Sequence, residues 1–285
     1  MAASEGSSAA ISPTAHYTGE TWVRNGLSHP DLATWQGRLF YDALALPNAA
    51  SRLLGGPSLE AMLLARHRII DALLEEQIEA GVSQVIEIAC GMSPRGWRFC
   101  ERYGSALTYV EADLPGMAQR KREALGQMGS LGENHRVVAL DALRDGGPGS
   151  LEELVDSMDP EAGLAIVTEG LLVYLDDKTM EALWARLART LKRFPTGAYL
   201  ADFRFARPGR GIPERAFEHL LGAFVRSDIH PFAGDEADAE AALRAAGFDQ
   251  VALHRCDEHP AAAGTGAKAG AGMLSIIQAE TVSAA

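Results

Sequence analysis

The sequence predicts an α/β fold: a seven-stranded, mostly parallel, doubly wound sheet with helices on its faces. Three observations carry this. Residues 85–98, VIEIACGMSPRGWR, form a β-branched run that ends in an acid and breaks into a glycine-bearing turn, as a strand covered on both faces does before it hands over to a helix. Residues 106–113, ALTYVEAD, repeat the pattern and place Asp113 22 residues after Gly91. Two further apolar runs, HRVVALD at 135–141 and LAIVTEG at 164–170, also end in acids. Parallel strands share one edge, so these terminal carboxylates are expected to converge on one crevice.

The elements follow in order. Residues 1–10 are small and polar and read as a disordered leader. Residues 11–80 read as an N-terminal helical cap. Within it, residues 11–28 gather Tyr17, Trp22, Arg24 and Asn25 in a stretch rich in turn formers, a mix suited to a lid over a site. A short helical stretch is expected over 32–47, with Trp35, Leu39 and Phe40. A longer one opens at Pro57 and carries Leu59, Met62, Leu63, His67, Ile70 and Leu74 at helical spacing. Residues 81–285 read as the sheet domain. Its strands are expected at 85–88, 106–113, 135–141, 164–168, 197–205, 250–256 and 273–279. Helices are expected after Pro115, from Asp176 or Asp177 to Arg193, and over 235–246. Between the fifth strand and that last helix, residues 212–225 carry Phe217, Leu220, Leu221 and Phe224 on one helical face. A minimal sheet fold has no use for this helix, so the insertion at about 206–232 is assigned to substrate binding.

Composition narrows the function classes. A net charge of −12 leaves no basic surface for nucleic acid or anionic membrane. No apolar run approaches the roughly 20 residues of a membrane span, and the N-terminus lacks a signal-peptide pattern. A cytoplasmic protein acting on a small molecule, as a monomer or homodimer, is expected. Cys90, Cys100 and Cys256 fit no metal or disulfide spacing. Cys90 lies in the glycine turn without a base in register and reads as a small buried residue.

The turn identifies the ligand class. Ala89, Cys90 and Gly91 bring no bulky side chain to the strand tip, so a ligand can approach the backbone. Asp113 stands at the distance at which a nucleotide-binding fold places its ribose-gripping carboxylate. Glu111, two residues earlier, shares its face. A G-x-G-x-x-G run is absent, which argues against a diphosphate-bridged dinucleotide and a nicotinamide oxidoreductase. Adenosine without phosphate, as in S-adenosylmethionine, fits instead. Asp141 can accept from the adenine amino group beside Ala142 and Leu143. Arg66, His67 and Arg68 lie just before the end of their apolar helical stripe, where a guanidinium near the strand tips can hold a carboxylate such as the cofactor's own. Glu169 and Gly170 follow the fourth strand, and Tyr174 projects near the reacting end.

The stretches VIEIACGMSPRGWRF, YVEADLP, EGLLVYL and TAHYTGETWVRNGLS, in that context, together resemble the leucine carboxyl methyltransferase family. Within it they resemble the bacterial branch that methylates aromatic polyketide carboxylic acids, as in tetracenomycin biosynthesis. The likeness covers about residues 12–205. It implies a class I, Rossmann-like S-adenosylmethionine fold. By resemblance Arg66 holds the cofactor carboxylate, and Glu87 and Gly91 form the first cofactor turn, with Arg95 following. Asp113 grips the ribose, Asp141 faces adenine, Glu169 contacts the methionine end, and Tyr174 matches the aromatic residue that follows. The turn ACGMSPR departs from the form found in the eukaryotic branch, which acts on a protein C-terminus. The chain beyond Arg207 matches nothing in the family.

Methyl transfer from a sulfonium is an in-line displacement, so alignment and exclusion of water dominate. A carboxylate acceptor arrives ionised and needs only to be held, for which Tyr17, Arg24, Asn25 and Tyr174 are candidates, with Trp22, Phe217 and Phe224 shaping the pocket. A hydroxyl acceptor requires a base such as His16, His219 or His230. A binding protein of the same fold without methyl transfer is a further alternative.

Overall fold

The structure, a computed structural model, describes residues 13–53, 58–206, 230–266 and 274–282. The leader and the helix expected over 212–225, with Phe217, His219 and Phe224, lie outside the described residues.

Seven strands form one sheet: β1 (Val82–Ile88), β2 (Thr108–Asp113), β3 (His135–Ala139), β4 (Gly163–Thr168), β5 (Thr196–Arg204), β6 (Gln250–Arg255) and β7 (Leu274–Val282). Their order is β3-β2-β1-β4-β5-β7-β6. The first five run parallel, while β7 pairs antiparallel with both β5 and β6. The expected doubly wound, mostly parallel sheet is therefore present. β1 begins three residues earlier than its apolar run, because Gln84 is paid for inside the sheet. Its amide donates to the Asp159 carbonyl and accepts from the Asp159 N–H, both at 2.8 Å.

Alternation along the strands sorts the helices. Ile86, Ile88, Val110, Leu164 and Ile166 face α6 (Leu151–Val155), α7 (Asp177–Leu191) and α8 (Glu236–Ala246). Val85, Tyr109, Ala165 and Val167 face α3 (Leu59–Glu79) and α4 (Arg95–Tyr103), and Val137 on the same face meets α5 (Pro115–Gln127). Glu87 and Glu111 share the second parity and are directly opposed in the β1–β2 register.

Two expectations for the N-terminal region are corrected. Residues 13–24 are a regular helix, α1 (Pro13–Arg24), where the composition predicts a turn-rich lid segment. Pro13 is compatible with a first helical turn, and buried Tyr17, Thr18, Thr21 and Trp22 dock the helix on the body, so packing overrides weak propensity. The helix expected to end at Pro47 is α2 (Trp35–Leu53). Its continuation is pinned by buried Asn48, which donates to the Tyr17 hydroxyl at 2.9 Å and accepts from Leu59 N at 3.3 Å. α3 belongs to the sheet's own helical layer, so α1 and α2 are the elements standing outside it.

Candidate active site

Sheet order reverses between β1 and β4, where an open α/β sheet leaves a crevice at its carboxyl edge. Beyond Ile88 the chain turns through Ala89 (φ +55°) and Gly91 (φ +52°). Left-handed backbone at an alanine costs about 1–2 kcal/mol, and neighbouring bonds hold it. Cys90 N donates to the Ala112 carbonyl at 3.2 Å, and Gly91 N to Asp113 Oδ2 at 2.8 Å. Asp113 Oδ1 accepts from Leu114 N at 2.7 Å. The spacing from Gly91 to Asp113 thus closes into a direct bond across two strand tips. Burial raises the Asp113 carboxyl above its ordinary value, against the pull of both amides.

At the β4 tip Gly170 turns with φ +76° and donates its N–H to Asp202 Oδ1 at 2.5 Å. Arg66, from α3, donates through Nε to Glu169 Oε1 at 2.9 Å and through Nη1 to Asp202 Oδ2 at 3.1 Å. A cavity of about 140 Å³ lies between these tips. Arg66, the turn from Ala89 to Met92, Glu169 and Gly170 form its walls. Val173 and Tyr174 close one side, and α1 roofs it with Ala15, Thr18 and Trp22.

Beneath the cavity lies a buried ionic floor. Arg95 is 0% exposed and meets Asp71, Glu87 and Glu169, each at 2.6 Å. His67 Nδ1 lies 2.9 Å from Glu169 Oε2, and Arg98 meets Asp71 at 2.7 Å. Burial works to raise Glu169, but His67, Arg95 and Arg66 outweigh it and hold the carboxyl well below the usual range. At Glu87 the balance reverses, and burial lifts the carboxyl despite Arg95.

Several expected contacts are therefore corrected. Glu111 does share the parity of Asp113, but it lies one level deeper, beneath α4, where a Cβ on Gly96 would stand 2.7 Å from Glu111 Cδ. It is fully buried and bonded to Lys121 and His135, and these hold it low against burial. Glu87 and Arg95 likewise form the floor rather than the cavity wall. Tyr17 points between α1, α2 and α3, accepting from Asn48 and stacking on Tyr41. Arg24 is on the outer face, its side chain 48% exposed and paired with Glu20 at 2.8 Å. Asn25 donates to the Thr21 carbonyl and to Glu60. A helix presents one stripe inward, and on α1 that stripe is Ala15, Thr18 and Trp22, so the residues between them face elsewhere. His16 is also outside the cavity, with Nδ1 2.7 Å from the Thr34 hydroxyl.

Asp141 accepts from Leu143 N at 3.0 Å beyond the β3 tip, and the Ala142 carbonyl accepts from Arg186 at 2.6 Å. Leu114 and Leu143, the neighbours of Asp113 and Asp141, are 45% and 43% exposed. Cys90 lines the cavity with its thiol pushed up by burial. Asp202, His67 and Asp71 are missed by the sequence reading. Asp202 had a signal, since an acid within the apolar strand GAYLADFRF requires a buried partner.

A family model described as leucine carboxyl methyltransferase matches residues 30–188. A provisionally named S-adenosyl-L-methionine-dependent methyltransferase of Rhodococcus jostii is 32% identical over 174 residues, 59% of this chain and 56% of that protein. The chain thus spans about half the length of the curated relatives it matches. Among solved structures, a DUF574 family protein from Streptomyces avermitilis aligns over 96% of this chain and 98% of its own, with a TM-score of 0.63 at 15% identity. A provisionally named methyltransferase from Thermobifida fusca aligns over 94% of each chain, with a TM-score of 0.62 at 13% identity. The architecture is that of class I S-adenosylmethionine-dependent methyltransferases. The family match covers more than half of the sequence and spans the β1 turn, the Asp113 tip and the Glu169–Gly170 tip, so the chain belongs to the leucine carboxyl methyltransferase family.

Proposed function

We propose that the protein is an S-adenosylmethionine-dependent O-methyltransferase that esterifies a carboxylate of a small aromatic, polyketide-like acid, in the manner of the tetracenomycin-type branch of its family. The residues fit the cofactor. Arg66 faces the cavity as a cation for the methionine carboxylate and Glu169 as an anion for the ammonium. Asp113 retains lone pairs for ribose hydroxyls beyond the two amides it accepts. Exposed Leu114 and Leu143 offer apolar surface for adenine beside Asp141 and Ala142. When bound, the cofactor supplies a methyl group on a cationic sulfur. The chain's part is to align that group with the acceptor and to keep water out, through Trp22, Met92, Val173 and Tyr174.

The observation that supports a carboxylate acceptor is the ionic make-up of the cavity. Its ionisable side chains among the described residues are Arg66, Glu169, Cys90 and Tyr174. Glu169 is held well below the usual carboxylate range by its neighbours His67, Arg95 and Arg66, and Cys90 is held as a thiol by burial. Neither is a proton acceptor near neutral pH, whereas a carboxylate arrives already ionised. A hydroxyl acceptor is the second reading, because the His230 backbone N–H donates to the cavity residue Val173 at 2.8 Å and so brings a histidine to the rim. The test is to incubate the enzyme with methyl-labelled cofactor and a panel of aromatic acids and phenols. A labelled product that releases methanol in alkali is an ester and supports the carboxylate reading. An alkali-stable ether, with turnover lost in His230→Ala, refutes it.

A further inference from the structure

At the β4 end of the cavity, the cation that faces a ligand is itself held from two sides. Arg66 donates through Nε to Glu169 Oε1 at 2.9 Å and through Nη1 to Asp202 Oδ2 at 3.1 Å. A guanidinium is planar and carries its donors in a fixed fork. A bond at Nε alone therefore leaves the plane free to turn, and the second bond, at Nη1, sets it. The third nitrogen, Nη2, makes no hydrogen bond among the described residues, and it is not among the buried polar atoms left without a partner. The side chain keeps 14% of its surface exposed, so Nη2 is the nitrogen left for a ligand. A Cβ on Gly170, which also lines the cavity, would stand 3.3 Å from it.

Asp202 is the member of this corner that does not line the cavity. It stands on β5 with the parity of Ala198 and Leu200, on the face that α3 covers, and is 6% exposed. Its Oδ1 accepts from the Gly170 N–H at 2.5 Å, so the β4 turn fixes one oxygen and the other is presented to Arg66. Arg66 already has a counter-charge in Glu169, and a second buried carboxylate carries a desolvation cost of its own. What the second carboxylate adds is orientation. We propose that Asp202 is a positioning residue for the cofactor: held by Gly170, it sets the plane of the Arg66 guanidinium so that Nη2 meets the methionine carboxylate. The proposal rests on the reading of this cavity as the methionine end of an S-adenosylmethionine site.

The test is calorimetry with two probes on the full chain. S-adenosylhomocysteine carries the aminocarboxylate, while 5′-methylthioadenosine shares the nucleoside and lacks it. Asp202→Asn keeps the shape of the side chain but has one acceptor oxygen, so it cannot serve Gly170 N and Arg66 Nη1 together. In this variant the Kd for S-adenosylhomocysteine should rise at least about fivefold. The Kd for 5′-methylthioadenosine should stay within about twofold, which also reports that the variant is folded. In an Arg66→Met background Asp202→Asn should change S-adenosylhomocysteine binding by no more than about twofold, because the group it acts through is gone. Three outcomes overturn the proposal and leave the cofactor reading intact: unchanged S-adenosylhomocysteine binding in Asp202→Asn, equal weakening of the two probes, or a selective loss that persists without Arg66. Failure of both Asp202→Asn and Asp202→Ser to fold overturns it as well, since Asp202 would then serve the fold at large. Failure of the unmodified protein to bind S-adenosylhomocysteine overturns both readings.

Discussion

Replacing Arg95 by leucine removes a buried cation from three carboxylates at once, and the structure says which of them suffers. Asp71 keeps Arg98 at 2.7 Å, and Glu169 keeps Arg66 at 2.9 Å together with His67. Glu87 keeps the Tyr109 hydroxyl, at 2.8 Å. The variant therefore buries a carboxylate supported by one neutral donor, and the loss should reach about 3–5 kcal/mol, the range for breaking a buried ion pair from one side. The pH dependence has a definite sign. Burial already places the folded Glu87 carboxyl above its unfolded value, and losing Arg95 raises it further. Folded Glu87 then binds a proton that unfolded Glu87 releases, so stability falls as pH rises from the ordinary carboxylate range toward the folded pKa. The deficit should be modest near pH 5 and fullest at pH 8. Urea unfolding of wild type, Arg95→Leu, Glu87→Gln and the double variant at both pH values measures this. In the double variant Glu87→Gln should recover part of the loss and flatten its pH dependence. A loss below about 1 kcal/mol for Arg95→Leu, or additive effects of the two substitutions, would refute the reasoning.

Asp113→Ala should weaken S-adenosylmethionine binding by about 1–3 kcal/mol in calorimetry, through the lost acceptor and the release of Gly91 N–H. Gly96→Ala forces a Cβ against Glu111 and should lower stability by about 1–3 kcal/mol in urea unfolding, with weaker cofactor binding, because α4 must lift from β2. Arg24→Ala should leave cofactor affinity and turnover within about twofold, as for a surface substitution. A large fall in turnover would return Arg24 to the acceptor site.

The sheet was legible because its signal is dense. Val85, Ile86, Ile88, Val110, Ile166 and Val167 are β-branched, buried and bounded by turns, and the carboxylates Asp113, Asp141 and Glu169, at or just beyond the ends of β2, β3 and β4, mark the crevice edge. Spacing alone also joined Gly91 to Asp113. The roof was not legible in the same way. Tyr17, Trp22 and Arg24 look equivalent as polar or aromatic residues in one short segment, and only the helical phase of α1 sends Trp22 to the cavity, Tyr17 into the α1–α3 packing and Arg24 to solvent. That phase is set by tertiary docking, which propensity does not encode. Asp202 stayed hidden because its partner Arg66 is 136 residues away.

The misread acids share one physical cause. Glu87 and Glu111 oppose each other across β1 and β2, where like charges repel, so each needs a cation of its own. α4 supplies Arg95 to Glu87, and α5 supplies Lys121 to Glu111. Lys121 also donates to the Ser93 carbonyl, within the turn that leads into α4. Both helices are thereby fastened to the sheet at the level just below the strand tips, and the chain between the tips and α4 has little freedom left. That rigidity suits a backbone that must hold Ala89 and Gly91 in left-handed conformations before a ligand arrives, since strain of this kind persists only where surrounding bonds over-determine it. The two glutamates resemble ligand contacts in sequence because they precede the contact residues by one turn of the pleat. Their physical role is to hold the turn, and through Arg95 also Glu169, in the cavity wall from beneath.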